Sequence, residues 1–253
     1  MSATDSSRTI LITGGSRGIG RAVADLAIDA GYRVCITYQQ AADAAASVVA
    51  RAEAAGLQAV AIQCDVSDTT AIDQLFERFD SELGQLDVLV NNAGIVAPAK
   101  RVDEFDVERV ERLLSTNITG SIWSARHAVQ RMSSRHGGAG GSIINISSVA
   151  AQLGGPNEYV DYAATKGAID SFTVGLAKEV ATEGVRVNAV RPGLIHTDIH
   201  ASGGEADRVN RLQHLVPMQR GGTATEVAKA VIWLASDDAS YVTGSLLNVS
   251  GGR

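Results

Sequence analysis

The sequence is poor in cysteine: only Cys35 and Cys64 occur among 253 residues. Both lie inside apolar, strand-like runs, so we expect two buried free thiols rather than a disulfide. A fold built on disulfides is therefore not expected, and free thiols fit a reducing, cytoplasmic location.

Long apolar runs and an excess of positive charge are also missing. No run reaches the roughly 18–20 residues that cross a bilayer, and the first ten residues, MSATDSSRTI, show no secretory signal. With 22 Lys and Arg against 28 Asp and Glu, the net charge is −6. We therefore expect neither nucleic acid nor a membrane as the main partner.

No Pro/Gly-rich linker and no internal repeat divides the chain, so we expect one domain over residues 1–253. Apolar runs alternate with helical patterns, which is typical of a doubly wound α/β fold with a buried parallel sheet. The first strand candidate ends at Thr13, and the others cover 32–38, 57–64, 86–90, 142–147, 185–190 and 245–249. The helical patterns cover about 19–30, 41–55, 68–83, 107–134, 158–182 and 224–235.

The stretch TGGSRGIG (13–20) lies between the first strand and the first helix. Glycine removes the Cβ where a backbone turns sharply and approaches a pyrophosphate. The helix that follows points free N–H groups and the positive end of its dipole at such a group. An ordinary βα turn is the alternative interpretation of these glycines.

The residues after the second strand bear on cofactor choice. Sites that prefer NAD place an Asp or Glu there against the ribose 2′-hydroxyl, whereas this chain has Tyr38 and Gln39 and no acid before Asp43. Arg17 could offer a positive charge to a 2′-phosphate, although it could equally be a solvated loop residue. The pattern favours NADP(H) over NAD(H).

Tyr162 and Lys166 lie four residues apart and share one face of the predicted helix, whereas Tyr159 has Ala163 at that spacing. A nearby ammonium lowers the pKa of a phenol. On its own such a pair is more often a surface feature of a helix. Four further stretches end predicted strands, where an open α/β sheet binds its ligands: CDV (64–66), NNAG (91–94), ISS (146–148) and RPG (191–193).

These motifs, in this order, resemble the short-chain dehydrogenase/reductase family over nearly the whole chain. The matching elements are Thr13–Gly20, Asn91–Gly94, Asn117, Ser148, Tyr162 with Lys166, and Pro192–Gly193. The resemblance implies a seven-stranded parallel sheet of order 3-2-1-4-5-6-7, as in the Rossmann fold. It also implies hydride transfer between NAD(P)(H) and a small carbonyl or alcohol substrate.

The resemblance also implies roles for single residues. Tyr162 would be the acid/base, Lys166 would lower its pKa, Ser148 would bind the substrate oxygen, and Asn117 would support a water beside Lys166. The cofactor would contact Gly14, Ser16, Arg17, Gly18, Ile19, Gly20, Tyr38, Gln39, Asp65, Val66, Asn92, Ala93, Gly94, Tyr162, Lys166, Pro192, Gly193, Ile195 and Thr197.

On the substrate side we expect Ser148, Gln152, Tyr159 and His200, with the polar segment 194–222 as a lid. Strand alternation turns Ser147 away from Ser148, and the family pattern selects the second serine. His196 and His200 lack a matched Cys/His cluster, so no metal is expected. A homotetramer is implied by the resemblance, with a dimer as the next choice.

Two questions stay open at this stage. A nucleotide-sensing regulator could keep the fold without catalysis, although it would not need Asn117, Ser148, Tyr162 and Lys166 together. The substrate could be a sugar, a 3-oxoacyl thioester, a steroid or a xenobiotic ketone.

Overall fold

A seven-stranded parallel sheet forms the centre of the computed structural model, which describes residues 8–253. Its order is β3-β2-β1-β4-β5-β6-β9, so the predicted topology is confirmed. Two further strands, β7 and β8, pair only with each other. The strands are β1 Thr9–Ile12, β2 Arg33–Tyr38, β3 Ala59–Gln63, β4 Val88–Asn91, β5 Gly141–Ile146, β6 Val185–Pro192, β7 Ile195–His196, β8 Gly222–Thr223 and β9 Leu246–Val249.

Helices cover both faces of the sheet and begin and end close to the predicted limits. Within residues 8–253, no helix is both long and apolar enough to cross a membrane. The helices are α1 Gly18–Asp29, α2 Ala42–Ala54, α3 Thr69–Leu83, α4 Val107–Leu114, α5 Gly120–Met132, α6 Ala150–Leu153, α7 Val160–Val180, α8 Ile199–Ser202, α9 Arg208–Leu212 and α10 Ala224–Ala235.

Two cores, one on each face, explain why the central strands are largely apolar. Ile10 and Ile12 of β1 belong to the core that contains α1, α2 and α10. Leu11 points the other way and joins Phe76 and Phe79 of α3 in the core that also contains α5 and α7. Because both faces of the central strands β1 and β4 are buried, no exposed polar face alternates along them.

Both cysteines are buried free thiols, as the apolar runs around them predicted. Burial raises the pKa of both thiols above the ordinary value, and the pKa of Cys64 reaches about 11. These thiols therefore stay protonated at neutral pH and behave as small apolar side chains.

The predicted helix over 107–134 differs from the structure at one point. A π-helical turn, Ser115–Thr119, separates α4 from α5. Tertiary contacts stabilise this π turn, because the Asn117 side chain within it is hydrogen-bonded to residues outside the helix. Single π turns of this kind are frequent at functional sites.

A close contact at the start of α5 generates a stability prediction. A Cβ on Gly120 would lie 2.3 Å from the carbonyl oxygen of Val66, whereas a Cβ on Gly175 of α7 would meet nothing within 4 Å. We expect Gly120→Ala to lower the free energy of unfolding by about 1–3 kcal/mol, because the backbone has to shift. Gly175→Ala should raise the free energy of unfolding by roughly 0.5–1 kcal/mol, because alanine restricts the unfolded chain and has a higher helix propensity than glycine.

Urea unfolding of both variants checks this prediction. Equal stability of the two alanine variants would contradict the assigned contact between α5 and Val66.

Candidate active site

The turn between β1 and α1 is held in shape by its glycines and by β2. Gly14 has a φ of +65°, a region that side chains disfavour. Its N–H donates to Thr37 Oγ1 at 2.9 Å, which ties the turn to the end of β2. A Cβ on Gly20 would lie 2.4 Å from both the Gly14 carbonyl oxygen and Asn92 Nδ2. Only glycine fits at position 20 without moving the turn.

Asn92, just after β4, joins that turn to the neighbouring strand. Its side-chain amide donates to the carbonyl oxygens of Thr13 at 2.8 Å and Gly14 at 3.0 Å. In return, Thr13 Oγ1 accepts from the backbone N–H groups of Asn92 and Ala93, both at 3.0 Å. The ends of β1 and β4 are therefore fixed to each other by four hydrogen bonds.

A cavity of about 940 Å³ runs along this carboxyl edge of the sheet. Every residue for which the sequence predicted a site role lines it, except Gly20, Asn117 and Gln152. Gln152 instead accepts a 3.4 Å hydrogen bond from Asn248 Nδ2. The motifs at the ends of separate strands thus meet in one space.

One end of the cavity is formed by the ends of β2 and β3. Gln39 Nε2 donates to Asp65 at 2.7 Å, and the other oxygen of Asp65 accepts from the N–H of Ser67 at 2.9 Å. Arg17 is exposed in the glycine turn, and its side chain makes no hydrogen bond or ion pair with any described residue. Its guanidinium is therefore available to an anion.

The other end of the cavity carries Ser148 and Tyr162, and hydrogen bonding from the Ser148 side chain favours the ionised form of the Tyr162 phenol. Burial raises the pKa of Tyr162 to about 12, and the bond from Ser148 opposes that shift. Ser148 Oγ also accepts from the N–H of Ala150 at 3.1 Å, which fixes its direction. The neighbouring Ser147 donates to the carbonyl oxygen of Lys166 at 3.2 Å and is buried.

Lys166 lies one helical turn after Tyr162 and is buried. Its Nζ donates to the Ile146 carbonyl oxygen at 2.8 Å and lies 5.6 Å from the centre of the Tyr162 ring. Burial lowers the pKa of Lys166 to about 8, and the negative charge of Asp170 opposes that shift. The ammonium is thus close to its titration point at physiological pH.

Asn117 lies behind this group rather than in the cavity wall. Its side chain accepts from the N–H of Ile95 at 2.9 Å and donates to the carbonyl oxygen of the same residue at 3.0 Å. A third contact, 3.1 Å long, reaches Thr165 Oγ1 beside Lys166. Asn117 therefore holds the loop after β4 against α7.

The segment after β6 closes over the same end of the cavity through Arg208 of α9. Arg208 is 8 % exposed and forms ion pairs with Glu158 at 2.5 Å and Glu205 at 2.8 Å. Its guanidinium lies 4.7 Å from the ring centre of Tyr159, which meets the ring of Tyr162 edge to face. Sequence reasoning found no partner for Tyr159 and missed Arg208, since no local pattern marks a contact between distant segments.

His200 lies in the same segment and lines the cavity. Its Nε2 is 3.0 Å from the carbonyl oxygen of Ile195, so this nitrogen donates. Burial lowers the pKa of His200, which keeps the imidazole neutral at physiological pH.

Comparisons with known proteins agree with this geometry. A family model described as enoyl-(acyl carrier protein) reductase matches residues 14–253. A crystal structure of a short-chain dehydrogenase from Burkholderia cenocepacia J2315, in complex with NADP, superposes with a TM-score of 0.88. The two chains are 35% identical, and the match covers 98% of this chain and 97% of the Burkholderia chain. The chain belongs to the short-chain dehydrogenase/reductase family.

Two relatives show how far the likeness extends within the family. An uncharacterized oxidoreductase of Escherichia coli K12, YgfF, is 53% identical over 243 residues, which are 96% of this chain and 98% of the relative. A 3β-hydroxysteroid dehydrogenase of Eggerthella lenta is 38% identical over 246 residues, which are 97% of this chain and 93% of the relative. As a member of the family, the chain is an oxidoreductase that acts on CH–OH groups with NAD(P) as acceptor.

The cavity fits the cofactor that this family uses. The glycine turn brings backbone close to the cavity, and α1 begins there without a side-chain cap, so its first N–H groups are free for a pyrophosphate. At Gly94 a Cβ would lie 3.4 Å from Asn117 Oδ1 and 3.5 Å from Lys166 Nζ. Because position 94 has no side chain, the cavity stays open beside Lys166.

Proposed function

We propose that the protein is an NADP(H)-dependent oxidoreductase that interconverts a carbonyl compound and a secondary alcohol, with Tyr162 as the acid/base. The observation that carries this proposal is that Ser148, Tyr162 and the buried Lys166 meet at one end of the cavity. The nicotinamide supplies or accepts the hydride when bound. The side chains of this chain bind the substrate oxygen and move its proton.

Each of the four residues has a separate task in this proposal. Ser148 donates a hydrogen bond to the substrate oxygen and holds it next to the Tyr162 hydroxyl. Tyr162 gives its proton to that oxygen in reduction and accepts one in oxidation. Lys166, when protonated, stabilises the phenolate of Tyr162. Asn117 holds the loop after β4 against α7, the helix that carries Lys166, and we propose that it also supports a water beside Lys166.

The pKa shifts favour the reductive direction at neutral pH. Burial raises the pKa of Tyr162 to about 12, so the phenol keeps the proton that reduction requires. Oxidation requires the phenolate, which has to be stabilised by positive charge from Lys166 and from the oxidised nicotinamide ring.

Arg17 and the polar end of β2 support NADP(H) as the cofactor. Tyr38 and Gln39 place no carboxylate at the position where one would repel a 2′-phosphate, and the Arg17 guanidinium on the cavity wall has no partner among residues 8–253. A charged donor of this kind forms a strong bond with a phosphate oxygen. The NADP complex of the Burkholderia relative is consistent with this choice.

We further propose that residues 8–253 form one domain in which 194–222 is a lid over the substrate; residues 1–7 of the predicted domain lie outside the described part of the chain. Arg208 supports this reading, because its ion pair with Glu158 ties the segment to the start of α7. We keep the homotetramer as the proposed assembly. The exposed apolar side chains of Val107, Leu114 and Ile122 on α4 and α5 are consistent with contact between subunits.

The central test replaces Tyr162 with phenylalanine. We expect Tyr162→Phe to bind NADPH normally and to lose about 100-fold or more in kcat, because no group replaces the lost proton donor. Tyr241→Phe is the matched control, and it should stay within a few-fold of wild type because Tyr241 is fully exposed and does not line the cavity. Turnover is measured from the absorbance of reduced nicotinamide with a β-keto ester, an aryl ketone, a 3-ketosteroid and an aldose.

Near-normal turnover by Tyr162→Phe would refute the assignment. If wild type binds NADPH tightly but reduces none of the four compounds at high enzyme concentration, the non-catalytic regulator becomes the better hypothesis.

The pH dependence of oxidation tests the role of Lys166. Because oxidation needs the Tyr162 phenolate and burial raises the pKa of the phenol, kcat for alcohol oxidation should rise with pH toward a plateau. The Lys166 ammonium lowers the pKa of Tyr162, so Lys166→Met should move the rise to higher pH. The profiles are measured at saturating cofactor, and identical profiles for both proteins would exclude this role.

Cofactor preference is tested by titration with NADPH and NADH. Arg17→Ala should weaken NADPH binding about tenfold, the cost of one charge-assisted bond, and leave NADH binding unchanged. Arg21→Ala is the control, since Arg21 lies one turn later on α1 and pairs with Asp25. Tenfold tighter binding of NADH than of NADPH by the wild type would refute the NADP(H) proposal.

A further inference from the structure

A buried ion pair between Arg109 and Asp161 lies next to the active site but outside the cavity wall. The two side chains are 6 % and 7 % exposed. Arg109 Nε donates to Asp161 Oδ2 at 2.6 Å, and Nη2 donates to Oδ1 at 3.3 Å. Neither residue can touch the substrate from this position, so any effect on the reaction acts through neighbouring groups.

Asp161 directly precedes Tyr162 in the first turn of α7. The side chain of Tyr159, at the N-cap of this helix, forms no capping hydrogen bond. Instead, Asp161 Oδ1 accepts from the backbone N–H of Tyr162 at 2.9 Å. The carboxylate that fixes the backbone of Tyr162 is therefore the one that Arg109 holds.

Arg109 belongs to α4, the helix that leads into the π turn with Asn117. Its third guanidinium nitrogen donates to the carbonyl oxygen of Pro98 at 2.6 Å, and its charge lies 4.4 Å from the centre of the Phe105 ring. One side chain thus connects α4, the loop after β4 and the start of α7. The helix α4 leads into the turn that contains Asn117, the loop contains its partner Ile95, and α7 carries Tyr162.

We propose that Arg109 is a positioning residue that sets the place of the Tyr162 hydroxyl relative to Ser148 and Lys166. The inference rests on the role proposed for Tyr162. Both charges of the pair are buried, so the pair has few alternative arrangements of comparable energy. A reacting group displaced by about 1 Å can lose on the order of 100-fold in rate, which makes such a fixed contact important for turnover.

The test compares Arg109→Met and Arg109→Lys with Arg131→Met. Arg131 forms a similar two-bond pair with Asp80, at 2.8 and 2.6 Å, far from the cavity on α5. We expect Arg109→Met to lose at least about tenfold in kcat for the best ketone of the panel, with KM and NADPH binding within a few-fold. Arg109→Lys should recover part of kcat, and Arg131→Met should keep it.

Hydrogen exchange supplies a readout that does not depend on turnover. In Arg109→Met the amide of Tyr162 should exchange faster, because Asp161 no longer holds it, whereas in Arg131→Met its exchange should be unchanged.

The double variant Arg109→Met/Asp161→Asn removes both charges and leaves no unpaired buried carboxylate. We expect thermal stability close to wild type together with a low kcat. Wild-type kcat in this folded double variant, or in Arg109→Met itself, would overturn the inference. So would a loss of kcat in Arg109→Met that is matched by an equal loss of NADPH binding.

Tyr162→Phe is assayed in parallel to separate this inference from the proposed function. An active Tyr162→Phe refutes the proposed function whatever Arg109→Met does. An inactive Tyr162→Phe beside a fully active Arg109→Met refutes only the positioning role.

Discussion

The hydrogen bonds between Asn92 and the turn after β1 are the contact on which the rest of the site depends. They fix the ends of β1 and β4, the two central strands where the order of the sheet reverses direction. At such a point the helices that follow the strands lie on opposite faces, which leaves a crevice at the carboxyl edge. The remaining strands of the sheet have their carboxyl ends at this same edge, because all pairings are parallel.

Most of the fold could be predicted from the sequence, because its signals are local. Strands buried on both faces are continuous apolar runs, and α10 begins and ends at the predicted residues, Ala224 and Ala235. The order of the strands came from the family resemblance and not from any local signal. The π turn at Ser115–Thr119 could not be predicted, since it is stabilised by contacts of Asn117 with Ile95 and Thr165.

The same distinction applies to the site. Tyr162 and Lys166 are one helical turn apart, so their proximity follows from helix geometry alone. Arg109 with Asp161, and Arg208 with Glu158, join residues about fifty positions apart, and nothing in the local sequence marks those pairs. Sequence reasoning therefore found the groups proposed to react, whereas the structure was needed to find the groups that hold them in place.

The ion pairs of Arg208 also bear on which substrates can enter. Its guanidinium is shared by Glu158 and Glu205, so the wall that it forms beside Tyr159 presents a compensated charge. A carboxylate or phosphate on the substrate would lose its hydration there and would have to compete with two resident carboxylates. The same cavity is also lined by the apolar side chains of Leu153, Leu212 and Leu215, against which apolar surface is buried favourably. This wall thus combines a charge that resident carboxylates compensate with apolar surface.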